Sequence, residues 1–172
     1  MACNLTTGIS LDCRGVGGVE YFYVLDATGS DIDVTATAGV VSAISVGGTS
    51  ISTLSGDMFL FEQVKQTSNL SEAVNADEAN GTVFYNSTFN AVFNKLDATN
   101  LEQLRLLAAN SKLLIIVKDN NGKLFMVGND RGAVVTGGSS DTGTAMGDRS
   151  GITIEFQGFH EAPMYEVTVA EA

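Results

Sequence analysis

Few residues in this 172-residue chain could do covalent or metal chemistry. His160 is the sole histidine. A triad or a general-base pair needs a nucleophile and an orienting partner beside it, and no second histidine or nearby cysteine supplies one. A place on a surface or an edge strand accounts for it. Cys3 and Cys13 are the only thiols, with nine residues between them. Two cysteines without a Cys or His pair do not make a zinc site. They read as free or buried thiols of a protein made in a reducing cytosol, with a local disulfide as the other option. The stretch GGSSDTGTAMG at 137–147 is rich in glycine but lacks the Lys-Ser/Thr ending of a phosphate loop, and no helix follows it. Asp31 and Asp33, or Asp77 and Glu78, miss the spacing of a calcium loop and read as solvated acidic turns. Asn4, Asn69 and Asn86 each open an Asn-x-Ser/Thr match, and no leader pattern gives these matches a secretory context. No catalytic residue, metal ligand or cofactor is expected.

Composition narrows the class. An apolar content of 44% supports a packed core, and 172 residues suit one domain over 1–172. There are 19 glycines, one proline and no tryptophan, and Thr, Val and Ser are abundant, which favours a mainly β body with many turns. Net charge is −11, and it is skewed. Residues 1–94 carry two cations, Arg14 and Lys65, against ten carboxylates. Solubility explains such acidity, and so does a surface that repels phosphate. The basic stripe of a nucleic-acid binder is missing. No apolar run reaches the roughly 20 residues that span a bilayer, so no membrane partner is expected.

The organising stretch is 82–129. Val83, Tyr85, Ser87, Phe89, Ala91 and Phe93 alternate with Phe84, Asn86, Thr88, Asn90, Val92 and Asn94. Strand side chains point to opposite faces in turn, so the first set goes to a core and the second, mostly polar, to solvent. The period then changes. Leu101, Leu104, Leu107 and Ala108 predict a helix over about 99–110, with Thr99 and Glu102 matching a capping box. The β-branched run Leu113–Val117 meets Lys123–Val127 across Asn120-Asn121-Gly122, a hairpin whose Asn-Gly pair is expected at positive φ. Before this nucleus, strands are expected at 19–25, 32–37, 40–46, 58–66 and 69–75, with Ala38-Gly39 turning one hairpin and 47–56 flexible. After it come strands at 151–158 and 165–169. Residues 1–18 read as an irregular arm anchored by Leu5, Ile9 and Leu11. The glycine- and hydroxyl-rich stretch 129–150 reads as a long loop. The expected fold is a β-sandwich or partial barrel of about nine strands with one flanking helix.

The segments MACNLTTGISLDCR, GTVFYNSTFNAVFNKLDATNLEQLRLLAANSKLLIIVKDNNGKLFMVGND and GTAMGDRSGITIEFQGFHEAPMYEV resemble virion structural proteins of tailed bacteriophages, particularly of phages infecting Bacteroidota. Together they span well over half the chain. The arrangement of long strands, one helix, a hairpin and a long loop resembles that of a tail tube protein. That resemblance implies stacked, hexameric rings with an inner β-barrel through which DNA passes as cargo, no enzymatic activity, and a location in the virion tail after synthesis in the host cytoplasm. Its partners would be copies of itself and other tail or connector proteins. A tail terminator, head–tail connector or capsid decoration protein shares related folds, and a soluble β-sandwich binding module is a further option. On the tube reading, Asn86, Thr88, Asn90 and Asn94 line the lumen, with Glu62 and Glu72 adding a repulsive field. The arm 1–18 and the loops 42–56 and 129–150 would join stacked rings, with Gly138, Ser139, Asp141, Thr144 and Arg149 as candidate contacts.

Overall fold

The computed structural model describes residues 9, 15–129 and 131–171. Cys3, Cys13 and most of the expected arm lie outside them. The elements run β1 (Val19–Asp26), β2 (Ile32–Thr37), β3 (Val40–Val46), β4 (Thr49–Ile51), α1 (Leu54–Asp57), β5 (Phe59–Glu62), β6 (Asn69–Asp77) and β7 (Thr82–Asn94). Then follow α2 (Ala98–Ala109), β8 (Leu113–Asp119), β9 (Leu124–Val127), β10 (Ala133–Asp141), β11 (Gly151–His160) and β12 (Tyr165–Val167).

The protein is mainly β, as expected, with twelve strands and two helices among the described residues in place of about nine strands and one helix. All pairings are antiparallel except β12 with β3. The strands form two layers. One runs β5-β1-β8-β9-β12-β3-β2, with β4 also on β3; the other runs β6-β7-β11-β10. A single residue pair, Ala133 with Leu113, links them. The sheet does not close into a barrel: β2 and β6 are the ends of its path.

β8 shows that the first layer curls back on itself, so that β8 has a core on each face. Its first five residues, Leu113–Val117, are all buried. Leu113, Ile115 and Val117 face Phe89, Ala91, Ile152, Ile154 and Phe156 of the second layer. Leu114 and Ile116 face Val41, Ile44, Leu54 and Val167 on the other side. A strand covered on both faces must be apolar throughout, which is why this run does not alternate. Phe22 sits at the centre of the first cluster. It stacks on Phe61 at 5.3 Å and meets Phe89 edge-on at 4.8 Å. Leu104 and Leu107 of α2 cover the same cluster.

Local chemistry departs from expectation in several places. The helix is capped by Asp97, whose carboxylate accepts from the Asn100 N–H at 2.8 Å; Thr99 lies inside the helix, and Glu102 pairs with Arg105. With Asp97, two residues before Thr99, the helix starts earlier and its N-cap accepts from the Asn100 N–H, so the Thr99–Glu102 box is unused. In the β8–β9 turn only Gly122 takes positive φ (79°). Asp119 closes that turn by accepting from the N–H groups of Asn121 and Lys123. The stretch 47–56 contains β4 and the start of α1, not a flexible loop.

The Ala38-Gly39 hairpin forms as expected, with φ of 52° and 84°. The left-handed region costs an alanine about 1 kcal/mol, and asparagine tolerates it. Ala38→Asn is therefore expected to raise the melting temperature by about 2–4 °C. Calorimetry checks this; an unchanged or lower value would contradict it.

Candidate functional site

The second layer has one covered and one open face. On the covered face, Phe89, Ala91, Ile152, Ile154 and Phe156 are buried. The open face follows from the register. Asn86, Thr88, Asn90, Val92 and Asn94 of β7 stand opposite Phe159, Gln157, Glu155, Thr153 and Gly151 of β11. On the far side of β7, Ala73, Ser71 and Asn69 of β6 pair with Asn86, Thr88 and Asn90. Ser139 of β10 pairs with Thr153. The result is a face mainly of amides and hydroxyls, with Val92 at one end and the Phe84–Phe159 pair at the other. None of the four strands contains a lysine or arginine. The carboxylates on this face are Asp77, Glu155 and Asp141, and Glu155 accepts from the Thr136 hydroxyl at 3.1 Å. Arg149, in the turn between β10 and β11, reaches its margin, donating to the Thr153 hydroxyl at 3.0 Å and to the Phe93 carbonyl.

Four of the residues expected along the lumen, Asn86, Thr88, Asn90 and Asn94, therefore share one face. Glu72 does not. It pairs with Ser87 on the opposite side of the layer, where its carboxylate accepts from the Ser87 hydroxyl at 3.1 Å and the Met164 N–H at 2.9 Å. Glu62 lies in the first layer, opposite Tyr21. Sequence proximity placed both acids near the polar strand; strand parity takes Glu72 away, and Glu62 lies in the other layer. The face also gathers Ser71, Asn75, Thr153, Gln157 and Ser139, which had not been expected there. The alternation of Asn69, Ser71 and Asn75 with Leu70 and Val74 carried that signal.

The expected loop 129–150 contains a nine-residue strand. β10 runs from Ala133 to Asp141 against β11, and only 142–150 connects them. Gly138 and Ser139 thus belong to a ladder. A Cβ on Gly138 would lie 2.9 Å from the Thr153 carbonyl oxygen, so glycine there permits close strand approach. Asp141 accepts from the Gly143 N–H, and Asp148 from the N–H groups of Thr144 and Ala145. Those bonds, Ala145 first, hold the Asp148 carboxyl below the usual range. At the other end of the layer the Asn80 side chain, followed by the Asn80 and Ala79 N–H groups, does the same for Asp77. Both ends stay negative.

Among the described residues the layer has two free edges. β6 pairs only with β7. β10 touches β8 at Ala133 alone, so residues 134–141 have no strand on their outer side among the described residues. β6 runs parallel to β11 and β10 runs against it, so the two edges are antiparallel to each other.

Elsewhere, the chemistry-bearing groups do not converge. His160 is buried at the end of β11, with the Gly128 N–H 3.5 Å from its Nε2. Lys118 is held protonated above the usual lysine range, first by its bond to the Tyr21 hydroxyl and then by Glu171. That pairing ties the chain's last described residue to β8. Among the described residues no three His, Cys, Asp or Glu side chains are grouped to hold a metal, and no helix is long and apolar enough to cross a membrane. No family model matches the chain, and neither a curated protein nor a solved structure matches it.

Proposed function

We propose that this chain is a structural subunit of a phage tail tube, which closes rings by joining the β6 edge of one copy to the β10 edge of the next. The observation that carries this is the second layer itself: four strands with two mutually antiparallel free edges and one mostly polar face whose strands carry no lysine or arginine, Arg149 reaching only its margin. An exposed edge is a hazard in a monomer and an assembly device in a ring. The contact is heterologous, so it closes only if the rotation per copy divides a full turn. Six copies would give a 24-stranded barrel. Strands about 4.8 Å apart, tilted by about 40°, make that barrel about 48 Å across, wider than a DNA duplex. The resemblance to tail tube proteins supports the same arrangement. The ring would place Asn86, Thr88, Asn90 and Asn94 toward the lumen. Duplex DNA binds by neutralising phosphates with Lys or Arg and releasing counterions, and short neutral amides offer none of this.

A lumen that does not grip DNA can be made to grip it. Thr88→Lys with Asn90→Lys adds two cations per copy around the wall. Assembled variant rings are expected to retain short duplex DNA at 50 mM salt and release it at 200 mM, because affinity falls about 10³–10⁵-fold over that interval for 6–10 phosphate contacts. Unmodified rings are expected to retain none at either salt. Retention by the unmodified rings, measured by co-sedimentation, would contradict a non-gripping lumen.

A further inference from the structure

The turn between β8 and β9 does more than reverse the chain. Its two asparagines hold the segment that leads into β1. The Val16 N–H donates to Asn121 Oδ1 at 2.8 Å, and Asn121 Nδ2 donates to the Val16 carbonyl at 2.7 Å. Asn120 Nδ2 donates to the Gly17 carbonyl at 2.7 Å, and the Asn120 N–H donates to the Gly18 carbonyl at 3.1 Å. Asn121 Nδ2 also donates to Asp119 at 2.8 Å, which fixes the amide plane. A side-chain amide has both a donor and an acceptor, so Asn121 serves Val16 as a strand partner would. These bonds set where the chain before Gly15 starts, and Val16 and Asn121 both stand on the rim of a groove.

Leu70 of β6 forms one side of that groove, and Val19, Val117 and Phe125 of the first layer form the other, with Met164 beside them. Its volume of about 340 Å³ is about twice the roughly 150 Å³ of a cavity that takes one benzene, so it has room for more than one aliphatic side chain. A second hollow of the same volume also touches Val16, but its other walls are Glu20, Lys65, Gln66 and Asn120. An apolar segment leaving Val16 therefore has one apolar place to go. Residues 1–8 and 10–14 lie outside the described residues, and Ile9 is fully exposed. The sequence Ile9-Ser10-Leu11-Asp12 alternates, which puts Ile9 and Leu11 on one side of an extended segment. Ile9 stands six residues from Gly15, a reach of up to about 20 Å.

We infer that residues 1–14 are a strap that closes over this groove of their own subunit, seating Ile9 and Leu11 against Leu70, Val117 and Phe125. The tether selects the occupant. A segment pinned at the rim meets the groove at a high effective concentration, which a second copy does not. Closure does not depend on ring formation. On the ring reading it draws the arm away from the contacts between rings that the tail-tube resemblance implies for it.

Disulfide trapping in the full chain tests this. Ser10→Cys, beside the two anchors, is made in a Cys3→Ser/Cys13→Ser background. It is paired either with Met164→Cys in the groove wall or with Lys65→Cys in the polar hollow. Under mild oxidation the Met164→Cys pair is expected to give at least about tenfold more intramolecular disulfide than the Lys65→Cys pair, because a seated strap concentrates its thiol at one site. Adding Ile9→Asp and Leu11→Asp is expected to abolish that preference. Equal yields from the two pairs, or a preference that survives the aspartates, overturn the inference. Disulfide-linked dimers overturn it in favour of a second copy in the groove, and no disulfide from either pair leaves the groove to another partner and overturns it too. Hydrogen exchange of the unmodified chain gives a reading that no substitution can disturb. Amides of residues 9–13 are expected to exchange at least about tenfold more slowly than in a free peptide of residues 1–14, and equal rates overturn the inference.

Discussion

Phe22→Ala is expected to lower the free energy of unfolding by about 3–5 kcal/mol. Phe22 is fully buried in β1 and is where the two layers meet. Its ring stacks on Phe61 of β5, lies edge-on to Phe89 of β7 and stands 6.1 Å from Phe156 of β11. Truncation removes the transfer energy of the ring and leaves a cavity walled by β5, β7 and β11. Those strands are held by their own ladders and cannot collapse inward. Aromatic pairing adds about 0.5–1.5 kcal/mol per pair beyond area burial. Native domains hold only about 5–15 kcal/mol in total, so one residue accounts for a large share. Urea unfolding followed by circular dichroism measures it. A loss below about 1 kcal/mol would mean that the layers do not depend on this contact.

Proline scanning of β6 from Leu70 to Val74 is expected to split into two outcomes by parity. In an antiparallel pair, alternate residues point their N–H groups toward the partner strand. Proline at those positions removes a β6–β7 ladder bond and destabilises the subunit. At the other positions the N–H points away from β7, toward what would be the neighbouring copy's β10. Proline fits edge strands at such places without unfolding them. These variants are therefore expected to keep the folded circular dichroism spectrum and to sediment only as monomers. If every folded proline variant still assembled, the β6 edge would not be the joint.

The parts of this fold legible in the sequence are those whose faces differ in polarity. β7 alternates and lies where the alternation placed it, with Ser87, Phe89 and Ala91 buried. β8, apolar throughout, was equally plain. β10 was hidden because Gly137, Gly138, Ser139 and Ser140 carry no apolar side. Its strand character comes from β11, which supplies the ladder, and from the close approach that Gly138 allows. The periodicity predicts α2 but not its cap, since Asp97 and Thr99 are both competent and only the entering backbone selects Asp97. Half of the polar face was visible in β7. The rest needed the register of β6 and β11, which sets which side chains share a face; a shift of one residue would have put Glu72 beside Asn86. Free edges leave no mark in periodicity. β6 and β11 both alternate, and only the strands beside them make one an edge and the other central.

The most direct test of edge-to-edge assembly is a cryo-electron microscopy reconstruction of the purified, unmodified chain. The expected map shows closed rings in which β6 of each copy runs antiparallel along residues 134–141 of the next, with Thr88 and Asn90 turned toward the pore. A protein that stays monomeric at high concentration, or rings that turn Thr88 and Asn90 away from the pore, would contradict it.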